Sequence, residues 1–463
     1  MTADLVDALR TELADIAAMG DEIPERYLRD WSGLAPVRPL ALLRPRSTDQ
    51  VAAALRLCSR LRVPVVPQGG LTGLAGGAHP IANGVVLALD RMRDIEEIDP
   101  VMATMTVQAG VTLGAVQAAA DEAGLFFGVD LGARDSCTIG GVLSTNAGGN
   151  RVIRFGMARE SVLGLEVVLA DGTVMRSLNK MLKNNAGYDI KQMFIGSEGT
   201  LGIITRAVLR LQAKPEATAT AFCGCADFSA VLHLLRKARS RMGPSLSSFE
   251  VMWPSFYHFM TSSIPQLRRP FVEPHGVYVL IESIGRDDAE NTAILEELMA
   301  GALQAPCVAD AVIARSERDA KDLWAVRESV SEYSRLMGPL TAFDIGLATS
   351  AAGDFVREIE DTIRGRWADA IVLSYGHIGD SNLHLVCNVP SAGAAQPHSE
   401  ITDIVFGAVG RADGTISAEH GIGLLKKAYL PLSRSPEELA LMATMKRALD
   451  PNNILNTGKV LSV

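Results

Sequence analysis

Lysine is absent from the chain before Lys180. A P-loop of the GxxxxGK[ST] type needs a lysine directly after its glycines, so the glycine-rich N-terminal part cannot be one. Cysteine is sparse and unpatterned. Cys58, Cys137, Cys223, Cys225, Cys307 and Cys387 include one CxC pair and no CxxC, which argues against a disulfide framework or a zinc ribbon and leaves buried free thiols as the expectation. Long apolar runs are missing as well. Stretches such as 84–89 and 162–170 fall far short of the roughly 18 residues a membrane span needs. The N-terminus carries Asp4, Asp7, Glu12 and Asp15 with no basic or apolar leader region, so no targeting segment is read and the cytoplasm is the expected compartment. Basic residues do not predominate: 44 stand against 53 acidic, a net charge of −9, and nucleic acid is not an expected partner. What is present is a globular composition, 48% apolar and 21% charged over 463 residues, enough for about three lobes.

Leu5, Leu9, Leu13 and Ile16 recur at helical spacing ahead of Gly20, which reads as an amphipathic surface helix. Ser47, Thr48 and Asp49 supply caps for a second helix running toward Leu61, followed by an apolar strand at 63–66. From there to about residue 212, short β-branched runs at 84–89, 105–109, 163–170 and 202–211 alternate with glycine-rich turns, an α+β lobe. A second α+β lobe spans about 217–390, with strands at 277–281 and 370–374 and helices near 289–303 and 319–334. The expected division is an N-terminal helical segment (1–34), a cofactor lobe (35–215), a substrate lobe (216–405) and a C-terminal segment (406–463).

Five glycines fall between Pro67 and Gly77, directly after a predicted strand. Glycine permits positive φ and close backbone approach, so N–H groups can converge around a phosphate; a set of ordinary tight turns is the other reading. The loop lacks the GxGxxG order of a Rossmann fingerprint and leads into a strand rather than a helix. Two further clusters, 138–149 and 195–204, mix glycine with small hydroxyl and amide residues, a composition suited to a long polar cofactor.

In Tyr375-Gly376-His377-Ile378-Gly379-Asp380-Ser381-Asn382-Leu383-His384, a two-residue turn at Asp380-Ser381 would set His377 opposite His384. Opposed histidines are competent to bind a metal or can be hydrogen-bonded core residues. In Ser417-Ala418-Glu419-His420-Gly421-Ile422-Gly423 the glycines let Glu419 and His420 aim at a common point. Two histidines and one carboxylate make an open divalent-metal site, with His420 left as a base.

These clusters, with 150–156 and 187–200, resemble the FAD-binding lobe of the vanillyl-alcohol-oxidase type flavoenzymes, and more narrowly their D-lactate and D-2-hydroxyglutarate dehydrogenase branch, from about residue 35 to the C-terminus. The resemblance implies an α+β, two-lobed flavoprotein: an FAD lobe, a substrate (cap) lobe and a helical C-terminal segment. It implies FAD contacts at Pro67, Gln68, Gly69, Gly70, Leu71, Thr72 and Gly73, at Thr138, Gly140, Gly141, Ser144, Asn146 and Gly149, and at Glu198, Gly199 and Ile204. No histidine falls within the first glycine loop, so the FAD is expected to be non-covalent. His377, His384 and Glu419 match the ligands of a divalent ion, zinc first, with manganese, iron or cobalt as alternatives. His420 matches the base that takes the substrate hydroxyl proton. Arg327 matches the arginine for the substrate carboxylate, and Ser331 retains a hydroxyl four residues later. The implied reaction oxidises a D-2-hydroxy acid to the 2-oxo acid, with hydride to flavin and a proton to His420.

The pattern departs at two positions. Ala342 and Val386 stand where the D-2-hydroxyglutarate subgroup has lysine and asparagine, so a second carboxylate would lack polar partners. D-lactate or a larger apolar D-2-hydroxy acid is therefore favoured over D-2-hydroxyglutarate. An alkylglycerone-phosphate-synthase-like transferase and a flavin subunit whose partner does the chemistry are the competing readings. The expected electron acceptor is a quinone, an electron-transfer flavoprotein or a cytochrome, and the expected assembly, otherwise open, is a homodimer.

Overall fold

Ser47, in extended conformation, accepts a hydrogen bond from Gln50 N and starts the helix Thr48–Leu61, which ends at Arg62 in the left-handed region (φ 54°). Val51, Leu55 and Cys58, spaced on one helical face, are fully buried. The computed structural model describes the backbone of residues 2–305 and 307–463 and the side chains from residue 6 onward, apart from residue 306. The chain forms two units: residues 1–149, 156–214 and 419–463 in the first, and 150–155 with 215–418 in the second.

The first unit contains two main sheets. The smaller has the strand order Ala17–Met19, Ala41–Leu43, Val85–Ala88, Val65–Gln68, with its last three strands parallel and buried. The larger is a five-stranded antiparallel sheet ordered Ile95–Asp99, Thr104–Gln108, Ile203–Arg210, Val162–Val168, Val174–Ser177. The N-terminal helix Thr2–Glu12 is shorter than the leucine spacing suggests. Leu9, Leu13 and Ile16 are buried nonetheless, the last two from the turn that follows; the side chain of Leu5 lies outside the described residues, and Gly20 opens a 3₁₀ turn rather than closing the helix. The C-terminal tail is stitched to the strand Val65–Gln68, with Val65 N donating to Ile454 O and Asn456 N to Val65 O.

The second unit is built on a seven-stranded antiparallel sheet, ordered Asp310–Ile313, Ala217–Cys225, Val277–Gly285, Leu246–Met252, Ile371–Gly376, Asn382–Asn388, Thr341–Gly346. Helices Pro254–Ser263 and Glu317–Glu328 supply Phe256, Tyr257, Leu323 and Val326 to an aromatic-rich core with Phe222, Tyr278, Tyr375 and Val386. Register sets Met252 opposite Tyr375, Tyr375 opposite His384, and Asp344 opposite His384. Directly opposed residues share a face, as do positions two apart on a strand, so Glu250, Tyr375, His384, Val386 and Ala342 all lie on one face.

The hairpin differs from its sequence reading. His384 faces Tyr375 rather than His377, because the connection includes a 3₁₀ turn at Ile378–Asp380 and Ser381 at φ 75°, making it five residues long. The C-terminal segment also divides differently, at 418/419 rather than 405/406, since helix His398–Arg411 belongs to the second unit. Residues 1–34 join the first unit, and residues 150–155 cross into the second.

Candidate active site

In the first unit, the strand Val65–Gln68 delivers the chain into the glycine loop. Gln68 is buried; its Nε2 donates to Tyr27 O and Ala78 O, while its Oε1 is buried without a hydrogen-bond partner. Gly69 and Gly70 press against 136–138: a Cβ on Gly69 would lie 2.3 Å from Thr138 Oγ1, and one on Gly70 would lie 2.0 Å from Ser136 O. Gly73 has open space around it. Thr138 Oγ1 is also buried without a partner. Gly69, Gly70, Leu71 and Thr138 line a cleft of about 1010 Å³, at the upper end of the size of small-molecule sites (~300–1,000 Å³).

The sequence-predicted clusters meet behind this cleft. Glu198 N donates to Ser144 O and Gly196 N to Leu143 O, and Gly199 sits against Pro67. Asn146 Oδ1 accepts from Arg159 N, and Gly149 packs so tightly on Asp130 O that a Cβ would come within 1.8 Å. Gly140 backs onto Ala109, and Ile204 is buried. Thr72, in the glycine loop, and Gly141, in the helix Ile139–Thr145, do not line the cleft. Sequence reading missed the other wall, where Arg26, Arg29, Arg44, Arg46, Arg91 and Arg93 outnumber Asp30, Asp90 and Asp94. These arginines are scattered over the sequence, so no motif marks them. Unpaired buried oxygens, glycines that admit close approach and an excess of guanidinium groups fit a long polar cofactor carrying a diphosphate, as FAD is.

Glu419 and His420 belong to the first unit and are half-buried. Gly149 N donates to Glu419 Oε1. The turn after His420 is held by Glu198, whose two carboxylate oxygens accept from Ile422 N (2.7 Å) and Gly423 N (2.9 Å). Burial pushes the Glu198 carboxyl up, opposed by those two bonds and by Lys426 and Lys459.

In the second unit, His377, His384 and Arg327 come together around a residue that sequence reading missed, Glu250. Glu250 is 1% exposed. Its Oε2 accepts from Arg327 Nε at 2.8 Å, and its Oε1 lies 2.7 Å from His377 Nδ1. Burial alone would push the Glu250 carboxyl up, but His377 and Arg327 outweigh it and hold the group below its usual range. A proton on His377 Nδ1 serves this contact; in the neutral ring Nε2 then carries the lone pair, and Arg327 Nη2 stands 3.3 Å from it. The rings of His377 and His384 are 5.3 Å apart at 82°, and His384 stacks on Tyr375, over which the Arg327 guanidinium also lies. A histidine with one nitrogen held on a carboxylate and, in its neutral form, a lone pair on the other, beside a second buried histidine, fits a divalent metal. Ser331 is exposed in the 3₁₀ turn Ser329–Glu332. Ala342 pairs directly with Val386. All six cysteines are free and buried, and burial raises the thiols of Cys58, Cys225 and Cys387 to about 12, so these three are not poised as nucleophiles.

Residues 39–177 match the FAD binding domain family and residues 214–460 match the C-terminal domain of FAD linked oxidases. The chain belongs to the FAD-linked oxidase family. It is 40% identical, over its full length and 82% of the relative, to a probable mitochondrial D-2-hydroxyglutarate dehydrogenase of Oryza sativa subsp. japonica. It is 38% identical, over 98% of this chain and 94% of the relative, to the D-2-hydroxyglutarate dehydrogenase of Xanthomonas citri pv. viticola. Among solved structures, p-cresol methylhydroxylase with bound substrate superposes with a TM-score of 0.78 at 17% identity, covering 99% of this chain and 96% of that one, which establishes the shared vanillyl-alcohol-oxidase type fold. The protein is thus an FAD-dependent dehydrogenase of this family, and no helix of the described residues is long and apolar enough to cross a membrane.

Proposed function

We propose that the protein oxidises a D-2-hydroxy acid with a small or apolar side chain, D-lactate or a larger homologue, to the 2-oxo acid, with a divalent cation held by His377, His384 and Glu419. The observation that carries this reading is the buried Glu250–His377–Arg327 cluster beside His384, a prepared histidine next to a buried cation. Bound FAD supplies a two-electron acceptor, and a bound divalent ion, zinc first, supplies a Lewis acid. The chain's own residues do the rest. Arg327 offers its Nη1 group, which neither Glu250 nor His377 takes, to a carboxylate, and His420 takes the hydroxyl proton.

The relatives' names favour D-2-hydroxyglutarate as a second reading. Against it stands the Ala342–Val386 pair, two apolar side chains on the His384 face where a distal carboxylate would need a polar partner. Reoxidation is assigned to a separate quinone, electron-transfer flavoprotein or cytochrome, the compartment to the cytoplasm and the assembly to a homodimer. The direct test is anaerobic flavin reduction by the wild type and by His420→Ala. The variant should keep FAD and lose reduction by about 100-fold or more; loss of FAD instead would make His420 structural.

A further inference from the structure

Glu198 is one of ten non-glycine residues in the left-handed region among the described residues (φ 51°), an unfavourable backbone state that surrounding contacts must maintain. Three contacts do so. Its N–H donates to Ser144 O, its carbonyl accepts from Asn456 Nδ2 at 2.7 Å, and its carboxylate accepts both Ile422 N and Gly423 N. Both carboxylate oxygens thus bond the turn that begins one residue after His420.

That turn has no other way to sit. Gly421 (φ +77) and Gly423 (φ +50) are both left-handed; a Cβ on Gly421 would lie 2.9 Å from Glu198 Cδ and Oε1, and one on Gly423 would lie 2.2 Å from Ala75 O. Leu424 N and Leu425 N both donate to Ala75 O, and Val460 N donates to Gly423 O, so the turn is sewn to the glycine loop and the tail.

We infer that Glu198 is a positioning residue for His420: its carboxylate clamps the 421–423 backbone and so fixes where the imidazole beside it stands. This rests on the proposed role of His420 as proton acceptor. It also gives Glu198 a task beside the cofactor contact that family resemblance implies, since each of its carboxylate oxygens accepts a bond from the turn.

A double-variant cycle on the full-length holoenzyme tests it, using Glu198→Gln, His420→Ala and the pair, with FAD content, FAD affinity and anaerobic flavin reduction by D-lactate read for each. Gln keeps the volume but turns an NH₂ toward one of the two N–H donors. The expected result is unchanged FAD affinity, a fall in the reduction rate of about 100-fold from displacing the base by about 1 Å, and less than about threefold further loss when Glu198→Gln is added to His420→Ala. Equal losses in both backgrounds, or loss of FAD in Glu198→Gln, would overturn the assignment. A His420→Ala protein with wild-type reduction would overturn the proposed function and the clamp with it, and that outcome is read from the single variant alone. Should Glu198→Gln fold poorly, Gly421→Ala strains the same clamp with the carboxylate retained and must give the same His420-dependent loss.

Discussion

Replacing Glu250 by glutamine removes one negative charge from the site while keeping its shape. Arg327 is 6% exposed and its Nε bond ends on Glu250, so the variant leaves a buried guanidinium uncompensated. Breaking a buried pair by removing one partner costs about 3–5 kcal/mol. For a unit of about 200 residues each kcal/mol lowers Tm by about 2–4 °C, so the transition of the second unit should fall by about 6–20 °C. The double variant Glu250→Gln/Arg327→Met removes both charges and should recover most of the loss, because replacing a buried pair by apolar groups is close to neutral. The same glutamine can present its NH₂ to His377 Nδ1 and upset the tautomer that leaves Nε2 unprotonated. Zinc affinity, measured by competition with a chromophoric chelator, should therefore drop about 10- to 100-fold even where the protein stays folded. A variant with wild-type Tm and wild-type metal affinity would mean that Glu250 neither compensates Arg327 nor orients His377.

Gly70→Ala puts a Cβ 2.0 Å from Ser136 O and 2.8 Å from Cys137 Cα, backbone atoms that cannot yield, so the protein should purify without flavin absorbance. Lys459 is buried, donating to His79 O and Asn456 Oδ1, and burial pushes its ammonium down to about 7. Between pH ~7 and its unfolded pKa of ~10.4 the unfolded chain holds a proton that the folded chain has shed, so stability rises with pH across that window by at most about 4–5 kcal/mol. Below pH ~7 both states are protonated and the burial penalty is constant. Thermal melts of wild type and Lys459→Met from pH 6.5 to 9.5 should therefore diverge in favour of the wild type as pH rises; parallel curves would contradict the shift. Ala342→Lys with Val386→Asn supplies polar partners on the His384 face and should move kcat/KM toward D-2-hydroxyglutarate over D-lactate by about 10- to 100-fold, the value of one charge-assisted hydrogen bond.

Local signals in the sequence carried far. The helix from Ser47, the strands flanking the glycine loop and the antiparallel hairpin of the two histidines are written in caps, β-branched runs and turn residues. The hairpin register was legible only to within two residues, because a 3₁₀ turn and a left-handed Ser381 take up chain that a minimal turn would not. Glu250 was not legible at all. It is a lone carboxylate in the fully buried strand Leu246–Met252, and its partners lie 77 and 127 residues away. Glu198 was visible as part of a motif, but the direction of its carboxylate depends on a left-handed backbone that no residue type announces. The crossing of residues 150–155 into the second unit rests on long-range bonds, Arg154 to Ile284 O and Ser248 to Asn150 O, which leave no periodic trace.

The reaction proposed for this flavoprotein is metal-assisted oxidation of a D-2-hydroxy acid. The most direct test is anaerobic bleaching of the flavin band, near ~450 nm for oxidised FAD, by D-lactate, by a D-2-hydroxy acid with a larger apolar side chain, by D-2-hydroxyglutarate and by their L-enantiomers, before and after chelator treatment and zinc readdition. Rapid bleaching by the D-monocarboxylates, loss after chelation and recovery with zinc are the expected results. Bleaching that survives complete metal removal, or none with any hydroxy acid, would contradict that reaction.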